Sequence, residues 1–340
     1  MLTVPNGELI RVPLLTPQFT VCPVVRATTA KRRGRVVMFS GLGGQGAILQ
    51  SGNAGYAPLV TNLIADGWEC WEIYRPATQV DQGGQDEGYF DIRDDPAFGA
   101  RFKATNVQYF DDAMAMIEGS NGKLPTIFGG VSMGAWSSIV WAMSGKHKPI
   151  GIWGMCPPNV FSLVWIYAVI QHPYLGLTTT GVDLPSTALN GLGVPAYIEY
   201  CDQDSFVQPE LTAAMVQTAR ANGETLALGR QATDAVITGG TNYSSATCGL
   251  AMAESGCPIT GPGIPGGTTL TVTSSALPNA GPYTGTLSQA CTNGSGLTVT
   301  FPTLGPIAHH DHGVDAGGVD LGALFSWIQA TFDGSYPEIW

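Results

Sequence analysis

The stretch from Pro125 to Trp136 constrains the fold of this chain more than any other. It reads PTIFGGVSMGAW: a short apolar run, a turn rich in glycine, and an apolar segment typical of a buried helix. Ser132 stands in the middle of the turn, in the pattern Gly-x-Ser-x-Gly. The glycines allow a tight, strained turn in which larger side chains would collide with the strand or the helix. The stretch therefore predicts a strand, a sharp turn and a helix, with a serine hydroxyl as candidate nucleophile.

Strands and helices alternate on both sides of this turn. An antiparallel pair of strands is predicted within residues 7–37. Buried strands are predicted at 35–40, 68–74, 149–156 and 194–200, with a final one at 224–228, and helices at 56–67, 102–118, 135–143 and 209–222. Residues 75–101 are interpreted as a solvated acidic loop. The order of elements predicts an α/β fold: a mostly parallel sheet with helices on both faces.

Residues 230–306 differ in composition from the rest of the chain. They carry few charges, are dense in Gly, Thr, Ser and Pro, and repeat short alternating runs without a helical period. This composition predicts a small β-rich domain inserted into an α/β core that spans 1–229 and 307–340. Within the core, an apolar and aromatic segment suggests a lid at 157–191, with a plain core helix at 160–170 as the alternative. A last helix is predicted from an apolar face formed by Leu321, Leu324, Phe325, Ile328 and Phe332.

Charge excludes several classes of partner. Only 12% of the residues are charged and the net charge is −11, so binding to nucleic acid or to anionic lipid is not expected. The sequence has no apolar run of about 18 residues and so predicts no transmembrane segment. A secretory signal is not expected either, because the first residues of the sequence show no basic start followed by an apolar run. Seven cysteines at irregular spacings give no zinc pattern; Cys248, Cys257 and Cys291 are left as candidates for disulfide pairing.

Three loops that follow predicted strands carry polar side chains suited to catalysis. Ser132 lies in the first loop, Asp202 and Asp204 follow the strand that ends at Tyr200, and a histidine cluster precedes the last helix. Ligands bind at the carboxyl edge of such sheets. A serine hydroxyl is a weak nucleophile unless a base takes its proton, and the base needs an orienting partner. The three loops together supply a nucleophile, an acid and a base.

The order Ser, Asp, His resembles that of the α/β-hydrolase superfamily, whose members include esterases and lipases. The resemblance rests on Gly-Val-Ser-Met-Gly, on the Asp-x-x-Val that begins at Asp204, and on a histidine before the closing helix. It covers residues 1–229 and 306–340. It implies that Ser132 is the nucleophile, a histidine the general base and Asp204 the residue that holds the histidine tautomer.

The resemblance also implies an oxyanion hole. One donor would be the backbone N–H of Met133, the residue after the nucleophile. The other would come from the loop after the strand 35–40, where Leu42 is preferred and Gly43 is the alternative. Loss of such a donor costs about 100- to 1000-fold in rate.

The assignment of acid and base leaves alternatives open. Asp204 is preferred to Asp202 as the acid. His312 is the preferred base because Gly313 lets the chain turn towards the helix; His310 is the second choice and His309 the third. The same histidine cluster could be read as a metal site, but adjacent ligands do not easily converge on one ion, and no metal is expected.

The glycines at 41–46 could indicate another class of function, nucleotide binding. They match Gly-x-Gly-x-x-Gly after a strand, the pattern of a dinucleotide-binding turn. The next predicted helix begins about ten residues later, so no helix N-terminus would meet a pyrophosphate. A nucleotide-binding module is therefore disfavoured, and no cofactor is expected.

The insert carries a second resemblance. Its segments 259–272, 285–290 and 296–301 look like a β module that recurs in phage capsid and tail proteins. This implies a virion-associated hydrolase, in which the insert serves for attachment to the virion or to a second copy, or for contact with substrate. The alternative is an ordinary β excursion beside the pocket, and a cytoplasmic location is expected if the protein is not virion-associated. From the three loops and the resemblance to α/β-hydrolases, we predict a serine carboxylic-ester hydrolase with an acyl-enzyme intermediate. The alternative is a non-catalytic structural or attachment protein of a virion.

The substrate class is suggested by aromatic residues near the predicted site. Phe161, Trp165 and Tyr167 of the predicted lid, together with Trp136, indicate an acyl or aromatic ester rather than a bare sugar. The sequence does not choose among small-molecule, lipid and polymer esters.

Overall fold

The computed structural model describes residues 7–16, 19–27, 32–39, 56–73, 98–158, 183–201, 207, 209–227, 230–246, 248, 250, 254–274, 282–304, 307–308 and 321–334. The strands are β1 (Gly7–Thr16), β2 (Phe19–Ala27), β3 (Gly34–Phe39), β4 (Trp68–Ile73), β5 (Thr126–Val131), β6 (Gly151–Met155), β7 (Ala196–Cys201), β8 (Arg230–Thr238), β9 (Asn242–Ser245), β10 (Cys257–Pro258), β11 (Thr269–Ser274), β12 (Tyr283–Leu287), β13 (Gly294–Phe301) and β14 (Ile307–Ala308). The helices are α1 (Ala57–Ala65), α2 (Phe98–Asn121), α3 (Met133–Ser144), α4 (Pro209–Ala221) and α5 (Leu321–Asp333).

The larger sheet has eight strands in the order β1-β2-β4-β3-β5-β6-β7-β14. β1 and β2 form an antiparallel pair, and β2 runs antiparallel to β4. In the remaining order β4-β3-β5-β6-β7-β14, each strand is parallel to the next. The predicted α/β fold with a mostly parallel sheet is confirmed.

Helices cover both faces of this sheet, because alternate residues of the buried strands point to opposite sides. Val37 and Phe39 belong to a core that also includes residues of α2, α3 and α4. Val36 and Met38 belong to the opposite core, which includes residues of α1 and α5. Strands buried on both faces read as continuous apolar runs, which is why the sequence revealed them.

The insert forms a separate antiparallel sheet in the order β10-β11-β12-β9-β8-β13. Thr260, two residues after β10, exchanges two backbone hydrogen bonds with Thr300 of β13, at 2.9 and 2.8 Å. The two edges of the sheet are thereby joined, and the sheet closes into a small barrel around its own apolar core. Closure leaves few free strand edges.

The last strand position of the larger sheet is divided between two distant segments. Leu226 forms a parallel bridge with Ala196, at the start of β7. β14 pairs with the end of the same strand, Ile307 opposite Tyr200 and Ala308 opposite Cys201. The chain therefore leaves the sheet for the barrel and returns to it within one strand position. Of the predicted strand at 224–228, the described residues 224–227 contribute the single bridge at Leu226.

Some local predictions differ from the structure. α2 begins at Phe98, so residues 98–101 are helix rather than loop; each added residue gains a hydrogen bond once the helix has nucleated. Residues 183–191, which the sequence assigns to the lid, contribute Leu184, Ala188 and Leu189 to the main core instead. Residues 159–182 of the lid lie outside the described residues. Cys248, Cys257 and Cys291 do not form disulfides with one another.

Candidate active site

Ser132 occupies a strained turn between β5 and α3. Its backbone has φ 54° and ψ −122°, a conformation rare for residues with a side chain, and its exposed fraction is 7%. Its N–H donates to the carbonyl of Met155 at 2.7 Å, and its own carbonyl accepts the N–H of Trp136 at 3.1 Å. Such a conformation costs about 1–3 kcal/mol and persists only where surrounding contacts impose it. Here the neighbouring strand and the first turn of the helix impose it.

Glycines make room for this turn. A Cβ on Gly130 would lie 2.5 Å from the carbonyl carbon of Gly134 and 2.6 Å from the carbonyl oxygen of Phe39. A Cβ on Gly129 would lie 1.8 Å from the indole of Trp153. Gly130 therefore lets α3 approach β5 and β3 closely, and Gly129 lets the indole of Trp153 lie against β5. The turn predicted from the sequence is confirmed, with these contacts as its physical reason.

Met133 is the first residue of α3, and its side chain is buried. The first four N–H groups of a helix have no partner within the helix, and the positive end of the helix dipole lies among them. The Met133 N–H therefore suits an oxyanion at the serine. The predicted second donor, Leu42 or Gly43, lies outside the described residues.

The register of the sheet brings the three predicted loops to one edge. Val131, which precedes Ser132, pairs with Met155, and Met155 pairs with Glu199. Beyond β7, Cys201 pairs with Ala308. The aspartate loop and the histidine loop therefore begin side by side, at the same end of the sheet as the serine.

The side chains of the predicted acid and base lie outside the described residues. These are Asp202, Asp204, His309, His310 and His312. The structure thus fixes the points from which their loops depart, and their roles remain predictions.

Two residues at this edge were missed by the sequence analysis. Cys156 follows β6 with φ 49°; among the described residues it is, with Ser132, one of two non-glycine residues with positive φ. Its N–H donates to the carbonyl of Glu199 at 2.8 Å. The buried carboxylate of Glu199 accepts a hydrogen bond from the Tyr197 hydroxyl at 3.0 Å. A glutamate within an otherwise apolar strand was the available signal.

Trp136 does not line a substrate pocket. Its side chain is fully buried in the core formed with α2 and α4, so the prediction that it contacts substrate is wrong. α3 is buried from Met133 to Ala142, and such a helix carries no polar face from which the direction of a side chain can be read.

Within the described ranges, no three metal-ligating side chains gather in one place. The glycines 41–46 and the histidine cluster fall outside those ranges. None of the described helices is long and apolar enough to cross a membrane.

No protein-family model matches this sequence, and no curated protein matches it. Among solved structures, the uncomplexed acylaminoacyl peptidase of Pyrococcus horikoshii aligns with 66% of this chain at 9% identity, with a TM-score of 0.50. The alignment spans only 36% of the peptidase. The Pyrococcus furiosus esterase Pf2001 aligns with 65% of this chain and 81% of its own, at 10% identity and a TM-score of 0.47. The sheet order, the strained serine turn and the similarity to the peptidase show that this chain has the α/β-hydrolase fold.

Proposed function

We propose that this chain is a serine hydrolase that cleaves carboxylic esters through an acyl-enzyme intermediate. The observation that carries the proposal is the conformation of Ser132, held at the carboxyl edge of the sheet and at the N-terminus of α3. A strain of about 1–3 kcal/mol is difficult to explain in a purely structural protein, since glycine would relieve it. The strain therefore favours the enzyme over the non-catalytic virion protein.

The reaction would proceed in two halves. The Ser132 hydroxyl attacks the ester carbonyl while the base takes its proton, and the N–H of Met133, with that of Leu42, holds the oxyanion. The intermediate collapses, and the alcohol leaves with the proton from the base. Water, deprotonated by the same base, then attacks the acyl-enzyme and releases the carboxylic acid and the serine.

Strand spacing supports His312 as the base. Neighbouring strands lie about 4.8 Å apart, so β14, which is separated from β5 by β6 and β7, runs about 14 Å from it. His309 directly follows β14 and would need to cross this whole distance. Each further residue can carry the chain about 3.4 Å closer, which favours His312 over His310 and both over His309. Asp204, in the neighbouring loop, would orient the imidazole.

The substrate is proposed from the predicted lid. Phe161, Trp165 and Tyr167 favour an apolar acyl or aromatic group. Trp136 is buried in the core and does not support this proposal. The resemblance of the insert to phage modules supports a virion-associated form, in which the barrel contacts the particle.

The test is labelling with a fluorophosphonate, alongside turnover of nitrophenyl esters from acetyl to dodecanoyl. We expect wild type to be labelled and Ser132→Ala to be inert in both assays. Ser138→Ala is the matched control, because Ser138 lies on the same helix and its hydroxyl donates to the carbonyl of Gly134 at 3.0 Å. Folded wild type without labelling, or labelling that survives in Ser132→Ala, would refute the proposal.

The histidine assignment has its own test. His312→Ala should lower kcat by at least about 100- to 10,000-fold, and His310→Ala should change it little. The reverse result would assign His310 as the base.

A further inference from the structure

The barrel interrupts the edge strand without shifting its register. Leu226 lies opposite Ala196, so an uninterrupted parallel strand would place position 230 opposite Tyr200. Ile307 lies opposite Tyr200 instead. The chain therefore re-enters the sheet in the position that residue 230 would have taken, and the histidine loop begins two residues later.

One side chain of the core bridges the outgoing and the returning segment. Arg220, in the last turn of α4, donates from Nη2 to the carbonyl of Ala227 at 2.7 Å and from Nη1 to the carbonyl of Thr303. Ala227 also donates its N–H to the carbonyl of Ala196 at 2.8 Å, which ties the outgoing segment to β7. A single guanidinium thus holds both segments. Its contact on the returning segment, Thr303, lies four residues before Ile307.

The charge of Arg220 is retained although the group is largely buried. Burial, together with the neighbouring Arg230, lowers the pKa of Arg220 to about 10. The group remains protonated at neutral pH, and hydrogen bonds from a charged donor to carbonyls are stronger than neutral ones. Arg230 itself is paired with Glu254 at 2.8 and 2.9 Å, so its charge is already compensated.

We infer that Arg220 is a positioning residue. It sets where the chain returns to the sheet at β14, and thereby where the histidine loop begins relative to Ser132. This inference rests on the proposed function. The planar fork of an arginine can reach two carbonyls at once, whereas a lysine ammonium offers a point charge on a flexible stem. An error of about 1 Å in the position of a catalytic group can cost about 100-fold in rate.

The experiment compares Arg220→Met and Arg220→Lys in the full chain. Leu270→Ala is the control, because Leu270 is fully buried in the barrel core and the carbonyls that Arg220 binds belong to Ala227 and Thr303. We expect Arg220→Met to lower kcat about 10- to 100-fold with KM changed less than about twofold, since the serine and the substrate contacts are intact. Arg220→Lys should recover part of the loss. Leu270→Ala should lower the melting temperature as much as Arg220→Met does, and leave kcat within about threefold of the wild-type value.

A second readout does not depend on activity. At whichever of Ile307 and Ala308 donates its N–H to β7, amide hydrogen exchange should be at least about tenfold faster in Arg220→Met than in wild type, and unchanged in Leu270→Ala. Unchanged exchange in Arg220→Met overturns the inference, as does an equal loss of kcat in the control. Wild type that is not labelled at Ser132 refutes the proposed function instead, and the exchange result then still decides the role of Arg220.

Discussion

Gly130→Ala tests how closely the serine turn depends on packing. The added Cβ would meet three backbone atoms, two from Gly134 and one from Phe39, at 2.5 to 2.7 Å. Backbone atoms cannot rotate away, so reaching an ordinary contact requires β5, β3 and the start of α3 to separate by about 1 Å. Overpacking of this kind costs about 1–3 kcal/mol of stability. A shift of about 1 Å in the Ser132 hydroxyl and the Met133 amide should lower kcat/KM about 100-fold.

Urea unfolding and the rate constant for fluorophosphonate labelling measure the two effects of Gly130→Ala. Gly119→Ala is the matched control, because Gly119 lies in α2 and a Cβ there would meet nothing within 4 Å. We expect the control to be more stable than wild type by about 0.5–1 kcal/mol, with unchanged labelling. A Gly130→Ala protein with wild-type stability and wild-type labelling would refute the packing argument.

Ser132→Gly should be more stable than Ser132→Ala by about 1 kcal/mol in urea, since glycine relieves about 1–3 kcal/mol of strain and loses about 0.4–1 kcal/mol to unfolded-chain freedom; equal stability would mean an unstrained turn. Burial alone would raise the pKa of Glu69, but hydrogen bonds from Trp71 and two arginines hold it below 4.5. The stabilisation is thus present above pH 4.5 and is lost as the pH falls through the lowered folded-state pKa. Denaturation at stepped pH should show Glu69→Gln weaker by about 3–5 kcal/mol at neutral pH and less acid-sensitive than wild type; an unchanged acid limb contradicts this. Joining Gly229 directly to Ile307, which removes the barrel, should leave a core with native circular dichroism at a cost of about 1–3 kcal/mol, from the carbonyl that Arg220 loses; an unfolded product contradicts the register argument.

The sequence predicted those parts of the fold in which local pattern and burial agree. β3 and β5 are apolar over most of their length because both faces are covered. The glycines around Ser132 predict a tight turn. β14 was missed because two residues carry no pattern; they are a strand only through their pairing with β7. Closure of the barrel was missed for a similar reason, since Thr260 and Thr300 are far apart in the chain.

The candidate site shows the same division. Ser132 could be assigned from its neighbours in sequence, because its conformation is fixed by adjacent residues. Arg220 could not, since one of its two carbonyl partners, that of Thr303, comes from a distant segment of the chain. Trp136 was misassigned because proximity in sequence to Ser132 does not determine which way a helical side chain points.

The junction explains how a barrel of this size can be inserted directly before the segment that carries the predicted catalytic histidine. Arg230 and Phe301, the first residue of β8 and the last of β13, pair with each other, so the barrel begins and ends as two neighbouring strands. Its entry and exit are therefore held together by its own sheet, and the larger sheet receives two ends that are already close. We therefore expect changes inside the barrel to leave the register of β14 unaltered and changes at Arg220 to alter it. The prediction for catalysis is accordingly asymmetric: a variant of the barrel core such as Leu270→Ala lowers the stability of the barrel, whereas a junction variant such as Arg220→Met moves the start of the histidine loop relative to Ser132.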